Sequence, residues 1–196
     1  GQVILCHSFL PSLGRLVPGP EVVVDTLLEA LGPDGTLVAP TFTYSYFRGE
    51  VYDVQQSPSR VGLLGDVVRG RPEAVRSRDP NFSMAAIGAS AAPLMRRAGA
   101  HSFGPGSPYD QLMQAGVRAL LLGVDYTALP LFMHLEKLHG VAYRYDKPFS
   151  GTTRDQGREV ADMTIHFVRD LQLGTTSDRT RLGPLLDAQP ECVRRT

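Results

Sequence analysis

The stretch "RALLLGV", residues 118–124, is the clearest strand signal in this sequence of 196 residues. Four consecutive apolar residues run up to a glycine, without the three- and four-residue spacing of an amphipathic helix. A continuous apolar run of this kind is typical of a strand that is buried on both faces of a sheet. The rest of the chain is therefore expected to supply further strands, with helices between them to cover both faces.

The remaining sequence alternates strand and helix patterns in this way. Further strands are predicted at residues 3–6 ("VILC"), 36–42 ("TLVAPTF") and 83–88 ("SMAAIG"). Helices are predicted at residues 21–31, 61–70, 90–99 and 129–139, and a further one begins at Ser107-Pro108. Gly19-Pro20 opens the first helix and Gly32 closes it, the usual order of helix signals. The pattern predicts an α/β fold, a single domain with a central mixed or mostly parallel sheet flanked by helices.

One long segment fits neither pattern. Residues 43–60 are polar and too irregular for a strand or a helix. Loops of this length in a compact domain are often lids or binding loops. We therefore expect residues 43–60 to border a ligand site.

Composition excludes several classes of protein. Twenty basic and twenty acidic residues give no formal net charge, which does not favour nucleic acid or an anionic membrane surface as a partner. Cys6 and Cys192 are far apart in unlike surroundings, which predicts neither a disulfide framework nor a metal site, and favours a reducing cytoplasm. No apolar run approaches the roughly 18 residues of a membrane helix, and no signal peptide is visible.

The residues after the first predicted strand are the first candidate binding segment. His7, Ser8 and Phe9 are expected to form the turn that follows Cys6. Ligands of open α/β sheets bind beyond the carboxyl ends of strands, where backbone amides and a hydroxyl can hold a phosphate. The alternative is that Ser8 only caps a short helix. Neither the P-loop nor the dinucleotide glycine pattern is present.

Two further polar segments are ambiguous on their own. Residues 76–83, "RSRDPNFS", combine two arginines with two serines and an aspartate. Arginine forks bind phosphates or carboxylates, but the same residues suit a solvated loop with local side-chain turns. Residues 102–112, "SFGPGSPYDQL", are typical of a turn that leads into a capped helix.

His134 and Glu136 are the nearest histidine–carboxylate pair on a predicted helix. Two residues along a helix correspond to about 200° around its axis, so these side chains point to nearly opposite sides. Met133 and Glu136, three residues apart, share a face instead. The spacing therefore does not support a local His–Glu pair.

Taken in order, five segments resemble the aminoglycoside 3-N-acetyltransferase family of acetyl-CoA-dependent enzymes. They are residues 7–44, 52–88, 102–112, 119–149 and 178–186. Within them "PTFTYSYFRGEVYD" and "GVAYRYDKPFSG" look more like the branch associated with amino-sugar acetylation in biosynthesis than like the drug-resistance branch. Because family members are usually longer at both ends, residues 1–196 are expected to be a single acetyltransferase-like domain that lacks family segments at both termini.

The resemblance implies the reaction and its participants. Acetyl-CoA would be the co-substrate, and the acceptor would be a primary amine of an amino sugar, a sugar nucleotide or an aminoglycoside-like compound. No metal, nucleic acid or membrane is required, and a homodimer is expected from the family alone. Such a transfer needs a positioned base, most often histidine, with a carboxylate behind it and donors for the oxyanion.

The resemblance also assigns residues to the site. The coenzyme pyrophosphate and pantetheine would face the turn His7, Ser8, Phe9 and Leu10, with Arg76, Ser77, Ser83 and Ser107 as further coenzyme or pocket positions. The catalytic candidates are His134 as the base, Glu136 as the closing glutamate of the family pattern, and Asp53 as a carboxylate that binds the amine or orients the base.

The chain departs from the family pattern at the position of the catalytic base. That pattern is roughly Leu-Gly, several residues, then Thr-x-x-His-x-x-Glu. An ungapped match from Gly123 places Pro130 at the threonine and Met133 at the histidine, so that His134 comes one residue late. Three explanations stay open: a one-residue shift or bulge that brings His134 into the pocket, a substituted and inactive site, or a different base or acceptor chemistry. The rival functions are a non-catalytic ligand-binding descendant and an acyltransferase with another acyl donor.

Overall fold

The computed structural model describes residues 1–96, 99–174, 178–189, 191 and 193–194. The strands are β1 (Val3–Ser8), β2 (Thr36–Pro40), β3 (Tyr52–Asp53), β4 (Val75–Arg76), β5 (Met84–Gly88), β6 (Arg118–Leu122), β7 (Arg144–Asp155) and β8 (Arg158–Arg169). The helices are α1 (Glu21–Leu31), α2 (Leu63–Arg69), α3 (Ala91–Met95), α4 (Pro108–Gln114), α5 (Leu131–His139) and α6 (Leu182–Asp187).

The central sheet has five strands in the order β4-β5-β2-β1-β6. Strand β1 runs parallel to both β2 and β6, whereas β5 is antiparallel to β2 and β4 is antiparallel to β5. The sheet is therefore mixed, with helices on both faces. This confirms the predicted single α/β domain, and of the two sheet types that were predicted, mixed or mostly parallel, the sheet is the mixed one.

The core is divided by this sheet into two apolar layers. Leu5 of β1 and Val38 of β2 pack in one layer with residues of α3 and α4. Their neighbours Cys6 and Leu37 pack in the other layer with residues of α1 and α2. Successive side chains of a strand point to opposite faces. The continuous apolar runs in the sequence thus arise because both faces of the central strands are covered.

A long hairpin that the sequence did not predict forms a second sheet. Strands β7 and β8 pair antiparallel from Arg144–Arg169 to Asp155–Arg158, and β3 adds to β7 in parallel. Half of the residues of β7 are exposed, and its sequence contains Pro148 and Gly151. A half-exposed strand of polar residues lacks the apolar signal on which strand prediction depends. The prediction that residues 43–60 are irregular throughout was wrong, because β3 lies within them.

Other element bounds differ from the prediction at their ends. Strand β1 continues through His7 and Ser8, which pair with β6, so these two residues are not in the following turn as predicted. Helix α3 ends at Met95, and Arg96 is already extended. Residues 97 and 98, which the predicted helix included, and Cys192 lie outside the described residues. None of the described helices combines the length and the apolar character needed to span a membrane.

Candidate active site

A cavity of about 270 Å³ opens where β1 and β2 end. Its wall includes His7 and Ser8 from β1, Pro40 from β2, Gly65 from α2, and Met133 from α5. This is the edge at which open α/β sheets bind ligands, beyond the carboxyl ends of parallel strands. The predicted position of His7 and Ser8 at a strand-end site agrees with this geometry.

His7 gives the cavity a neutral imidazole. Its side chain is 7% exposed, and burial lowers its pKa to about 4, so the ring is uncharged at neutral pH. Among the described residues, none forms a hydrogen bond with its Nε2 atom. A buried polar atom without a protein partner is unusual, and it marks His7 as a candidate functional residue of the cavity wall.

Cys6 also lines the cavity but is unsuited to act as a nucleophile. It is fully buried, and burial raises the pKa of its thiol to about 12. The thiolate is the reactive form of cysteine, and it is scarcely populated at such a pKa. Cys6 is therefore unsuited to form a covalent intermediate with a ligand in this cavity.

Tyr44 lines the cavity in a strained backbone conformation. Its φ of 56° lies in the left-handed region, which costs a non-glycine residue on the order of 1–3 kcal/mol. The backbone N–H groups of Thr43 and Tyr44 both donate to the carbonyl of Asn81 at 3.2 Å, and the Tyr44 ring contacts Phe42 and Phe82 edge-on. Tyr44 was not predicted as a site residue, because no local sequence pattern indicates a tyrosine in the left-handed backbone region.

Arg179 supplies a positive charge to the cavity wall. Its Nη1 atom donates to the backbone carbonyls of Leu129 at 3.2 Å and Thr127 at 3.3 Å. Burial lowers the pKa of the guanidinium, but arginine stays protonated at neutral pH. The residue lies in the quoted segment 178–186 but was not singled out from the sequence.

The comparisons with known proteins agree with this geometry. The family model described as aminoglycoside 3-N-acetyltransferase matches residues 5–196. The chain belongs to the aminoglycoside 3-N-acetyltransferase family. Aminoglycoside N(3)-acetyltransferase VIII of Streptomyces fradiae is 33% identical, with 69% of this chain and 54% of that protein covered. The chain spans about half the length of the curated relatives that head this comparison.

Solved structures of named acetyltransferases share the fold. The crystal structure of aminoglycoside acetyltransferase AAC(3)-Xa has a TM-score of 0.81 at 26% identity, over 97% of this chain and 75% of that chain. The binary complex of AAC-IIIb with CoASH has a TM-score of 0.76 at 27% identity, over 86% of this chain and 70% of that chain.

Within this aminoglycoside 3-N-acetyltransferase fold, Met133 rather than His134 reaches the cavity. Helix α5 is α-helical from Leu131 to His139, and each residue advances about 100° around the axis. Met133 lies on the cavity wall, whereas His134 is fully buried and is absent from it. The geometry gives no support to a shift that carries His134 into the cavity. Its assignment as the base stays a prediction from the resemblance.

His134 is held by contacts elsewhere. Its Nδ1 atom accepts a hydrogen bond from the backbone N–H of Gly104 at 3.1 Å, and its Nε2 atom lies 4.0 Å from Oδ1 of Asp110. Burial lowers the pKa of His134, and the charge of Asp110 opposes this shift. The ring therefore binds the loop before α4.

The two predicted catalytic carboxylates do not line the cavity either. Oε2 of Glu136 lies 2.7 Å from Nε of Arg144 in β7. Oδ1 of Asp53 accepts hydrogen bonds from the backbone N–H groups of Gln55 at 3.0 Å and Gln56 at 2.9 Å. Each carboxylate is thus occupied by neighbouring protein groups, and the structure does not bring them together with His134.

The predicted coenzyme positions separate into two groups. His7 and Ser8 lie on the cavity wall, whereas Phe9 and Leu10 do not. Phe9 is 55% exposed, and Leu10 is buried in the layer that contains α1. The tetrapeptide therefore offers only its first two residues to the cavity.

Three of the four predicted serines, Ser77, Ser83 and Ser107, are buried and brace the backbone. The Ser77 hydroxyl accepts the N–H of Met84 at 2.9 Å, and the Ser83 hydroxyl donates to the carbonyl of Thr41 at 2.6 Å. Ser107 is the N-cap of α4, as the sequence suggested, and its hydroxyl accepts a backbone N–H of the first turn at 3.2 Å. Their coenzyme roles stay predictions.

Arg76 lies away from the cavity, on the wall of a second cleft. Its guanidinium donates to the backbone carbonyls of Ser57 at 2.6 Å and Thr41 at 2.9 Å. These bonds hold residues 41 and 57 against β4. The Arg76 side chain therefore stabilises these two segments, and it also lines the second cleft.

Proposed function

We propose that this chain transfers the acetyl group of acetyl-CoA to a primary amine of an amino sugar, a sugar nucleotide or an aminoglycoside-like compound. The observation that carries the proposal is the cavity where β1 and β2 end, with His7 and Ser8 on its wall. Family membership over residues 5–196 supplies the reaction class. The solved relative in complex with CoASH supports the choice of coenzyme.

In the proposed reaction the amine nitrogen attacks the thioester carbonyl carbon. A carbon–nitrogen bond forms, the carbon–sulfur bond breaks, and the proton that the amine loses ends on the coenzyme sulfur. Nε2 of neutral His7 would accept a hydrogen bond from the attacking amine and so orient its lone pair. Arg179 would stabilise negative charge on the coenzyme or on the developing oxyanion.

Met133 bears on the rate of this reaction. A positioned general base contributes about 10²–10⁴-fold, provided that its pKa is near neutrality. Methionine has no such group, and a histidine with a pKa of about 4 binds the proton weakly. We therefore expect slow acetyl transfer by the wild-type protein. A histidine at position 133 would supply a general base and increase the rate.

His134, Glu136 and Asp53 keep their proposed roles only as hypotheses from the resemblance. If Asp53 meets the substrate amine, Asp53→Asn lowers amine turnover more than coenzyme affinity. An equal loss of coenzyme binding would contradict that role. A homodimer is likewise proposed from the family, and light scattering of the purified protein tests it.

A second candidate function is ligand binding without turnover. The observation that favours it is Met133 on the cavity wall, where the family pattern has histidine. Such a descendant would bind the coenzyme or a sugar and release no thiol. Use of an acyl donor other than acetyl-CoA is the remaining alternative.

Thiol release from acetyl-CoA tests these functions directly. The panel contains free amino sugars, a nucleotide-linked amino sugar and aminoglycosides, and the proteins are wild type, Met133→His and the control Met113→His. Met113 is a partly exposed methionine on α4, outside the cavity. We expect slow, amine-dependent release by wild type, at least tenfold faster release by Met133→His, and no change in Met113→His.

The other outcomes separate the candidates. Coenzyme binding without release by any variant would establish the non-catalytic alternative. With a carrier-bound acetyl group assayed beside acetyl-CoA, release from the carrier-bound donor alone would identify another donor. Equal rates for Met133→His and Met113→His would contradict the assignment of position 133 to the reacting centre.

A further inference from the structure

A second cleft of about 640 Å³ lies between the α2–β4 segment, the end of α3 and the tip of the β7–β8 hairpin. It shares no wall residue with the cavity described above. Among its described wall residues, one carboxylate, that of Asp155, faces five arginines: Arg69, Arg71, Arg76, Arg78 and Arg96. We refer to this space as the arginine cleft.

Aspartates neutralise only part of this charge. Three arginines have an aspartate within 4.0 Å: Arg69 pairs with Asp66, Arg71 with Asp25, and Arg78 with Asp155. Arg76 and Arg96 have no carboxylate partner in the described part of the chain. The charge of Asp53 also acts on Arg76, so among the described residues these five arginines exceed the four nearby aspartates by one positive charge, although the whole chain is neutral.

Arg76 carries one of the charges without a carboxylate partner, and solvent does not fully hydrate it. Its guanidinium is largely buried, and its hydrogen bonds go to neutral oxygens of Thr41, Val54, Ser57 and Ser83. Neutral acceptors fix the group in place without cancelling its charge. Burial lowers the pKa of Arg76 and the charge of Arg69 adds to this effect, whereas the charges of Asp66 and Asp53 oppose it. A charge held in this way is stabilised by an anion that enters the cleft.

We infer that the arginine cleft binds the phosphoryl group of a small molecule. Guanidinium forks match phosphate oxygens with paired donors, and one phosphoryl or pyrophosphoryl group can accept bonds from several arginines at once. The cleft volume lies in the range of small-molecule sites. The phosphoryl group belongs either to a free phosphorylated metabolite or to coenzyme A, and competition between the two identifies the source. The structure favours the free metabolite, since the cleft and the cavity have no wall residue in common.

Titration calorimetry with inorganic pyrophosphate tests the inference. The test variant is Arg78→Gln/Arg96→Gln, because both side chains are exposed and the fold does not depend on their burial. Arg76 is left intact because it braces two loops. The matched control is Arg118→Gln, an exposed arginine on β6 at the opposite edge of the same sheet. Circular dichroism melts verify that both variants fold.

We expect one pyrophosphate per chain, bound at least tenfold more weakly by the double variant and with unchanged affinity by Arg118→Gln. Saturating coenzyme A leaves this binding unchanged. Absence of saturable binding, or equal weakening in the control, would overturn the site. Displacement of pyrophosphate by coenzyme A, with equal loss of coenzyme affinity in the double variant, would assign the cleft to the coenzyme instead. None of these readouts depends on acetyl transfer, so the two proposals fail separately.

Discussion

The imidazole Nδ1 atom of His134 accepts a hydrogen bond from the backbone N–H of Gly104 at 3.1 Å. An accepting Nδ1 places the proton of the neutral ring on Nε2, which lies 4.0 Å from Oδ1 of Asp110. The bond fastens α5 to the loop that precedes α4. On this geometry His134 packs against the loop before α4, and its neighbour Met133 faces the cavity, so the role of His134 as the base stays a prediction.

Removal of the His134 side chain is expected to affect stability more than catalysis. His134→Ala leaves the N–H of Gly104 without its acceptor and opens a cavity, which together lower the free energy of unfolding by about 2–4 kcal/mol. His134→Asn retains an acceptor atom and should lose less. Urea unfolding measures the stability, and thiol release per folded molecule should stay within threefold of wild type. A hundredfold loss of turnover in a fully folded variant would return the role of base to His134.

The helical spacing predicted that His134 and Glu136 point to nearly opposite sides of α5, but it did not predict that Met133 alone of these three residues would line the cavity. The strand-end rule predicted a binding site at His7 and Ser8, and both residues lie on the cavity wall. Tyr44 and Arg179 were missed, because their places on the wall depend on contacts with Asn81 and with residues 127–129. Such long-range contacts leave no local pattern.

At Gly65, α2 packs closely against the backbone of Pro40, and both residues line the cavity. A Cβ atom at this position would lie 2.1 Å from the carbonyl oxygen of Pro40, which is backbone and cannot rotate away. Gly65→Ala is therefore expected to lower the free energy of unfolding by about 1–3 kcal/mol. Gly183→Ala is the matched control, since Gly183 is also helical and its Cβ would meet only ordinary contacts at 3.5 Å or more. If both substitutions proved neutral in thermal melts, the close approach would be refuted.

Burial of His7 predicts loss of stability in acid. The folded pKa of about 4 lies below the ordinary value of 6.5, so the unfolded chain takes up this proton first as the pH falls. The contribution of neutral His7 to the free energy of unfolding is therefore fully present above pH 6.5. As the pH falls from 6.5 to 4, the free energy of unfolding decreases by on the order of 3 kcal/mol. His134, whose pKa is also lowered, adds in the same direction.

His7→Gln should flatten the dependence of unfolding free energy on pH across this window. His139→Gln replaces an exposed histidine at the end of α5 and is the control. Guanidinium unfolding at half-unit pH steps gives the slopes. Identical slopes for wild type and His7→Gln would mean that His7 does not titrate differently in the two states.

Glu136 is expected to stabilise the folded protein through its ion pair with Arg144. Their side chains are 16% and 6% exposed, with Oε2 of Glu136 at 2.7 Å from Nε of Arg144. Breaking a largely buried pair leaves a charge without its counter-ion, so Glu136→Gln should lower the free energy of unfolding by about 3 kcal/mol. Glu159→Gln breaks an exposed pair with Arg154 at the tip of the β7–β8 hairpin, and should cost less than about 1 kcal/mol.

A double variant separates the structural from the catalytic role of Glu136. Replacing both partners, in Glu136→Gln/Arg144→Met, removes the orphaned charge and should recover part of the stability lost in Glu136→Gln, because the two sites interact. If Glu136 acted only through this pair, turnover per folded molecule would be retained in both variants. Unchanged stability with a large fall in turnover would instead favour the catalytic role that the family pattern assigns to the closing glutamate.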